Sequence, residues 1–201
     1  DMMNNAGSWS IGSRIDQMLE DCGSLCEDGG CSTAAGDVNE DETLNIQDLI
    51  TMVNHILGSS PLADCALEAG DMNADGTINI QDLITLVNAI LGSARSKYLN
   101  GHAEIEYITS GDDMIVQIKS DVDLVGLQLA LLNDSKVNIE LKDNSHINQD
   151  SHFQNGITRY LAYSMFNQPF DSRTTEILIK SASYLSLDDI HITIADINGD
   201  A

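Results

Sequence analysis

The sequence predicts a multi-domain fold of mixed α and all-β type, in which a pair of loop-helix motifs precedes an antiparallel β-sandwich. An internal period of 34 residues relates two near-identical stretches, and each copy passes from a polar loop to the apolar spacing of a helix. Further along, short apolar or alternating runs are separated by turn residues, which is typical of short β-strands. We therefore expect three parts: a tail at residues 1–35, a repeat domain at 36–93 and a sandwich at 98–201.

Composition and charge limit the classes of function. The chain has 201 residues and a net charge of −23, with only nine Lys and Arg. Such a surface repels a phosphate backbone, so we expect no nucleic-acid partner. No apolar run approaches the roughly 18 residues that a membrane span needs. Carbohydrate binding is possible but no motif supports it. The chain starts at Asp1 with neither an initiator Met nor a signal peptide, as we expect of a processed mature protein.

The four cysteines, Cys22, Cys26, Cys31 and Cys65, favour disulfide bonds over a zinc site. Their spacings are C-x3-C and C-x4-C, whereas zinc ribbons offer paired C-x2-C knuckles. Disulfides place the protein in an oxidising compartment, secreted or at the cell surface. They would also hold the N-terminal tail in place. Three pairings are possible; we favour Cys22–Cys26 with Cys31–Cys65.

Each repeat opens with a 12-residue loop whose oxygen-bearing side chains alternate as in a calcium-binding loop. Calcium takes six to eight oxygen ligands, whereas magnesium demands a tight octahedron and keeps its waters. Turn formation or helix capping would explain one such loop, but not two that match at all six oxygen-bearing positions (1, 3, 5, 7, 9 and 12). We expect two Ca²⁺ ions, with position 7 acting through its carbonyl and position 9, Asn45 or Asn79, through water. The ligands at positions 1, 3, 5, 7 and 12 are Asp37, Asn39, Asp41, Thr43 and Asp48 in the first loop and Asp71, Asn73, Asp75, Thr77 and Asp82 in the second.

After each loop the apolar residues recur with helical spacing, and Gly58 and Gly92 stand where each helix should end. The two loops differ at position 6, where the sharp turn normally needs glycine. The second loop has Gly76, but the first has Glu42. We therefore expect backbone strain in the first loop and a weaker first site, although the extra charge of Glu40 and Glu42 offsets part of that difference.

A calcium loop followed by one helix, with no helix before it, occurs twice with Asp at position 12. This pattern at residues 36–92 resembles a type I dockerin. The resemblance implies a small module that folds with calcium and docks a cohesin partner. It also implies that loop positions 10 and 11 contribute to partner choice; here they are Ile46 with Gln47 and Ile80 with Gln81, where many dockerins have Ser-Thr. The identical pairs would permit binding through either helix.

The second half of the chain has the strand pattern of an antiparallel β-sandwich. Its segments VGLQLALLND and ITRYLAYSMFNQPFDSRTTEILIKSAS are similar to a cohesin-like module. The expected strands are Ala103–Thr109, Met114–Ser120, Leu124–Leu132, Val137–Leu141, Thr158–Ser164, Glu176–Ser181 and Ile190–Ala195.

Nothing in the sequence indicates catalysis. The five histidines are scattered, and we place His146 and His152 in a polar loop. A carboxylate pair for glycoside hydrolysis could lie among the acids between residues 112 and 123, but adjacent acids on turns are usually solvated. The end of the chain, Asp196, Asn198 and Asp200, repeats only the first half of a calcium loop.

Three functional hypotheses remain, none of which is enzymatic for the residues present. We favour a secreted calcium-binding structural protein whose two modules make protein-protein contacts, head to tail into an extracellular filament. The alternative is a docking subunit of a polysaccharide-degrading, cellulosome-like complex. The third is a fragment of a larger enzyme or adhesin. The partner is therefore either a cohesin-like module or a second copy of the chain.

Overall fold

A computed structural model of the chain describes residues 31, 33–92, 101–142, 146–182 and 185–199. Residues from 33 onward form one compact unit. Its helices are α1 (Ile46–Leu57), α2 (Cys65–Gly70) and α3 (Ile80–Leu91). Its strands are β1 (Ala103–Ser110), β2 (Asp113–Ser120), β3 (Leu124–Leu132), β4 (Asn138–Leu141), β5 (Asn148–Gln154), β6 (Ile157–Tyr163), β7 (Thr174–Lys180) and β8 (Ile190–Asp196), with a short 3-10 helix at Leu187–Asp189.

Helices α1 and α3 begin and end as their sequences predict. Asn45 and Asn79 cap the two N-termini, and the third residue of each helix, an Asp, returns a hydrogen bond to the cap backbone. This reciprocal arrangement satisfies backbone N–H groups that have no partner within the helix. Gly58 and Gly92 end the helices in the left-handed conformation, with φ of 77° and 66°.

The strands form two four-stranded sheets, and neighbouring strands within each sheet are antiparallel. The first sheet has the order β1-β2-β7-β4 and the second β5-β6-β3-β8. Alternate residues of the central strands point inward and form the core between the sheets, which includes Val116, Leu129, Tyr160 and Ile177. The predicted combination of helical motifs with an antiparallel β-sandwich is therefore confirmed.

Sequence analysis missed strand β5. Its residues, NQDSHFQ, are mostly polar, and the strand lies at the edge of the second sheet, where none of them is fully buried. An edge strand needs no alternation of apolar residues. The expectation that His152 lies in a loop was wrong, because His152 pairs with Arg159 within the sheet.

Two of the four cysteines lie within the described part of the chain, and both Cys31 and Cys65 are disulfide-bonded. Cys22 and Cys26, together with the rest of the predicted tail, lie outside the described residues. None of the described helices is long and apolar enough to span a membrane.

The repeat packs against the outer face of the second sheet. Buried residues of α1 and α3 form one apolar cluster with Val125 of β3, Leu161 of β6 and Ala195 of β8. Strand β3 is therefore covered on both faces near its start, and six of its nine residues are buried. The repeat and the sandwich, which we expected as domains at 36–93 and 98–201, thus share a hydrophobic interface within one unit.

Candidate functional site

The first calcium-type loop is held by its own acidic side chains. Both carboxylate oxygens of Asp37 accept backbone N–H groups, from Asp41 at 3.1 Å and from Glu42 at 3.0 Å. The amide oxygen of Asn39 accepts the N–H of Asp41 at 3.0 Å, and Asp41 accepts that of Thr43 at 2.9 Å. The backbone is therefore wound around the side chains at positions 1, 3 and 5, which are those predicted to bind calcium.

The aspartate at position 12 joins the two ends of the loop. The carboxylate of Asp48 accepts the N–H of Asn39 at 3.3 Å and that of Asn45 at 2.9 Å. Asn45 itself accepts the N–H of Gln47 at 2.7 Å as the helix cap. Because its side-chain oxygen is already used in this way, a contact with a cation through water suits position 9 better than a direct bond.

The second loop repeats this network bond by bond. Asp71 accepts the N–H groups of Asp75 and Gly76 at 3.1 and 2.9 Å. Asp82 accepts those of Asn73 and Asn79 at 3.2 and 2.9 Å, together with that of Met72 at 2.9 Å. The two loops thus share one geometry, and the sequence repeat extends to individual hydrogen bonds.

The position-12 carboxylates, Asp48 and Asp82, are fully buried, with exposed fractions of 0%. None of the ion pairs among the described residues involves either of them. Burial raises the pKa of Asp82, the N–H groups of Asn79 and Asn73 lower it, and the nearby Asp75 and Asp71 raise it further. A buried carboxylate beside other acids is costly unless a cation balances it, so each loop fits a bound metal ion.

The mixture of donors in each loop fits one type of cation better than others. No cluster of three or more His, Cys, Asp and Glu side chains that would hold a metal by itself occurs within the described ranges. Each loop instead combines three aspartates with an asparagine amide oxygen and the carbonyl of a threonine. Such an all-oxygen set of mixed charge suits calcium, because calcium accepts carbonyl and amide oxygens and tolerates irregular geometry. The residues present therefore fit two Ca²⁺ ions.

The expected strain at position 6 of the first loop is present. Glu42 has φ of 64° and Gly76 has φ of 86°, so both copies use the left-handed conformation there. Position 4 is left-handed as well, with φ of 59° at Glu40 and 60° at Ala74. Sequence analysis missed this second position, since neither copy has glycine there to signal it.

Helices α1 and α3 each carry a face of five residues with the same residue types, but the two faces have different surroundings. The α1 face consists of Ile46, Gln47, Ile50, Thr51 and Asn54, and the α3 face of Ile80, Gln81, Ile84, Thr85 and Asn88. Ile46 and Ile50 are 42% and 54% exposed, whereas Ile80 and Ile84 are both 0% exposed. Leu44, next to the α1 face, is also exposed. The α1 face is open to solvent and the α3 face is covered by the chain's own sandwich.

The other acids considered in the sequence have structural roles where they are described. Asp113 accepts the N–H of Ser181 at 2.9 Å and Asp121 that of His102 at 2.6 Å. Asp123 pairs with Arg173 at 3.4 Å. These carboxylates secure turns at the strand ends, and their contacts give no sign of an acid-base pair.

The partial calcium motif at the end of the chain folds as a turn after β8. Asp196 and Asn198 are buried, and the N–H of Asn198 donates to a carboxylate oxygen of Asp196 at 2.7 Å. Gly199 closes the turn with φ of 84°. Asp200, the third member of the motif, lies outside the described residues.

Comparison with known proteins agrees with the loop geometry. The family model of the dockerin type I domain matches residues 35–91. No curated protein matches the chain in sequence. Among solved structures, a non-cellulosomal cohesin from the hyperthermophilic archaeon Archaeoglobus fulgidus is 14% identical over 49% of this chain and 80% of the cohesin, with a TM-score of 0.34. At that level of similarity the structural match adds nothing to the fold described above. Residues 35–91, which contain both calcium-type loops and both faces, thus match the dockerin type I domain.

Proposed function

We propose that this protein is a secreted, calcium-dependent docking protein that binds its partner through the α1 face. The observation that carries the proposal is the exposure of Ile46 and Ile50, which are 42% and 54% exposed. Ile46 is position 10 of the first calcium-type loop, and Ile50 follows two residues after its end. Large apolar side chains in a contiguous exposed strip mark a contact surface more often than a solvated one. The dockerin type I match at residues 35–91 supports docking to another protein as the general role.

Calcium would control this face because the loop and the helix share residues. Asp48, at position 12 of the loop, is also the third residue of α1. A cation bound at Asp48 therefore fixes the first turn of α1, where Ile46 and Gln47 lie. Removing the cation leaves the acids of the loop to repel one another, and the free energy of metal binding is lost from folding.

Extracellular calcium suits such a site, and a disulfide-bonded Cys31 and Cys65 suit an oxidising compartment. Recruitment to a polysaccharide-degrading, cellulosome-like complex is one setting that this docking role would fit. We assign the chain itself no catalytic role.

Calorimetric titration against a panel of purified cohesin modules, in millimolar calcium and again in EDTA, tests the proposal. We expect at least one module to form a one-to-one complex that EDTA abolishes. The substitution pair Ile46→Asp and Ile50→Asp should also abolish it, whereas Leu91→Asp, at an exposed position outside the face, should not. A folded, calcium-loaded chain that binds no member of the panel contradicts the proposal.

Head-to-tail assembly of identical chains is a second candidate, and a feature of the first sheet favours it. On its outer face Ile108, Ile115 and Leu178 lie side by side across three strands. Lys119 lies on the same face, where it pairs with Glu106 at 2.8 Å. The apolar part of this patch would receive the α1 face of the next chain, and unlike surfaces that pair repeatedly produce a filament. Light scattering in calcium decides: a mass that grows with concentration and falls in EDTA supports assembly, and a constant monomer mass excludes it.

A further inference from the structure

The α3 face shows what kind of surface fits this strip of residues. Ile80 and Ile84 lie over Gly126 of β3, and a Cβ atom at Gly126 would be 2.6 Å from Ile80 and 3.0 Å from Ile84. Only glycine therefore allows the helix to approach the sheet so closely. Ala195, which pairs with Gly126 on β8, is also buried in this cluster, so two small residues form the seat for the isoleucines.

Polar contacts fix the helix at both ends of the same interface. The side-chain oxygen of Gln128 accepts the N–H of Ile80 at 3.1 Å, in the first turn of α3. Near the other end, Asn88 donates to the carbonyl of Ile197 at 3.0 Å and accepts from Asn167 at 2.6 Å. An apolar seat and a partner for the helix N-terminus together specify both position and direction of the helix.

The α1 face carries the same five residue types at the same spacing. Within the described part of the chain, however, it makes no contacts equivalent to those of the α3 face with Gly126, Gln128 and Ile197. Gln47 is exposed where Gln81 is half-buried, and Ile50 is exposed where Ile84 is fully buried. Both helices begin with the same asparagine cap and aspartate, so the backbone presented by α1 is equivalent to that of α3.

We infer that the α3 face is docked within the chain and that the α1 face docks on a β-sheet face of the same construction in a separate protein. That partner surface has small residues, Gly or Ala, on adjacent strands beneath the two isoleucines and an amide oxygen that accepts the N–H of Ile46. This inference rests on the proposed docking function and specifies the partner's chemistry. A second copy of this chain does not offer the surface, because its own α3 already covers Gly126.

The charge beside the α1 face adds a requirement at the rim of the partner. Glu40 and Glu42 are exposed in the loop that precedes α1, whereas the second loop has Ala74 and Gly76 at these positions. Lys or Arg side chains on the partner would complement the two glutamates, and opposite charges steer association and select partners. The α1 and α3 faces thus share a seat but differ in charge at the edge.

Substitutions that release α3 from the sheet would expose the sheet surface at Gly126, and this surface can then be used to test binding by the α1 face. In Ile80→Gln/Ile84→Gln, the α3 face loses its apolar contacts and the seat at Gly126 becomes available. In millimolar calcium we expect the α1 face to occupy the seat at Gly126, either in a second molecule or in its own chain. Binding to a second molecule at least doubles the mass measured by light scattering. In both cases hydrogen exchange in the first turn of α1 slows, by about tenfold. Adding Ile46→Gln and Ile50→Gln should reverse both effects.

Gly126→Leu is the matched control, because it opens the same interface but fills the seat. We expect this variant to remain monomeric, with α1 exchanging as in the native chain. If Ile80→Gln/Ile84→Gln does not fold, Ile84→Gln alone is measured in the same way. A folded variant that stays monomeric with unchanged exchange in α1 overturns the inference. The proposed function would survive that result if a cohesin module still bound the native α1 face, and it would fail separately if none bound.

Discussion

Two isoleucines with identical neighbours along the chain offer a direct test of the internal interface. Ile50 and Ile84 each occupy the same position in the segment IQDLIT, but they are 54% and 0% exposed. Truncating a buried isoleucine to alanine costs about 2 to 5 kcal/mol, because the transfer free energy is lost and a cavity remains. Truncating an exposed one changes the free energy of unfolding by about 0.5 kcal/mol in either direction. We expect Ile84→Ala to be destabilised more than Ile50→Ala by about 2 to 3 kcal/mol.

The comparison of the two variants removes effects that they share. The gain in helix propensity on replacing isoleucine by alanine is the same in α1 and α3, so it cancels in the difference. In a unit of this size each kcal/mol lowers the melting temperature by about 2 to 4 °C. Differential scanning calorimetry in excess calcium should therefore find Ile84→Ala melting about 5 to 10 °C below Ile50→Ala.

Equal melting temperatures for the two variants would refute this reasoning. That result would mean that burial of Ile84 against Gly126 does not stabilise the folded chain, and that the repeat and the sandwich unfold independently. A sandwich transition unchanged by Ile84→Ala, beside a lower repeat transition, would also show that the two parts are not one cooperative unit.

Three further changes test the loops and one histidine. Asp82→Ala should abolish calcium binding at the second site and lower the melting temperature, because three backbone N–H groups lose their acceptor; calorimetric titration measures both sites. Glu42→Gly should tighten the first site, which we expect to be the weaker of the two, and raise stability by about 1 kcal/mol, because φ at this position is 64°. Burial lowers the pKa of His55, whose Nδ1 accepts the N–H of Leu62 at 2.9 Å, so the stability that it contributes is present above about pH 6.5 and is lost as pH falls. The melting-temperature gap between the native chain and His55→Ala, which copies Ala89 of α3, should therefore narrow between about pH 7.5 and pH 5.

Each of these expectations has a clear contrary result. A chain whose melting curve is unchanged in excess EDTA does not couple folding to calcium. Tighter binding at the native first site than at the second would show that the charge of Glu40 and Glu42 outweighs the strain. A gap between native chain and His55→Ala that is constant with pH would show that His55 does not titrate differently in the folded state.

The sequence alone determined the local features, because each follows from residues that are close along the chain. The two calcium-type loops were predicted from oxygen-bearing residues at fixed spacing, and the helix ends from Asn45, Gly58 and their equivalents. The strain at Glu42 followed from the missing glycine. The sandwich was predicted from apolar alternation, which records the burial of one face of each strand. Strand β5 was missed for the same reason, since a polar edge strand leaves no such record.

Only the tertiary structure decided what each helix does. The α1 and α3 faces have the same five residue types, so no local pattern distinguishes the exposed Ile50 from the buried Ile84. The difference comes from Gly126 and Gln128 of strand β3, which are more than 40 residues away along the chain and contact α3 only because the helix packs on the sheet. A glycine in a strand shows only that no side chain is present, and what fills the space depends on the packing of distant elements. Sequence therefore determined two helix faces of the same composition, and the fold determined which of them remains open.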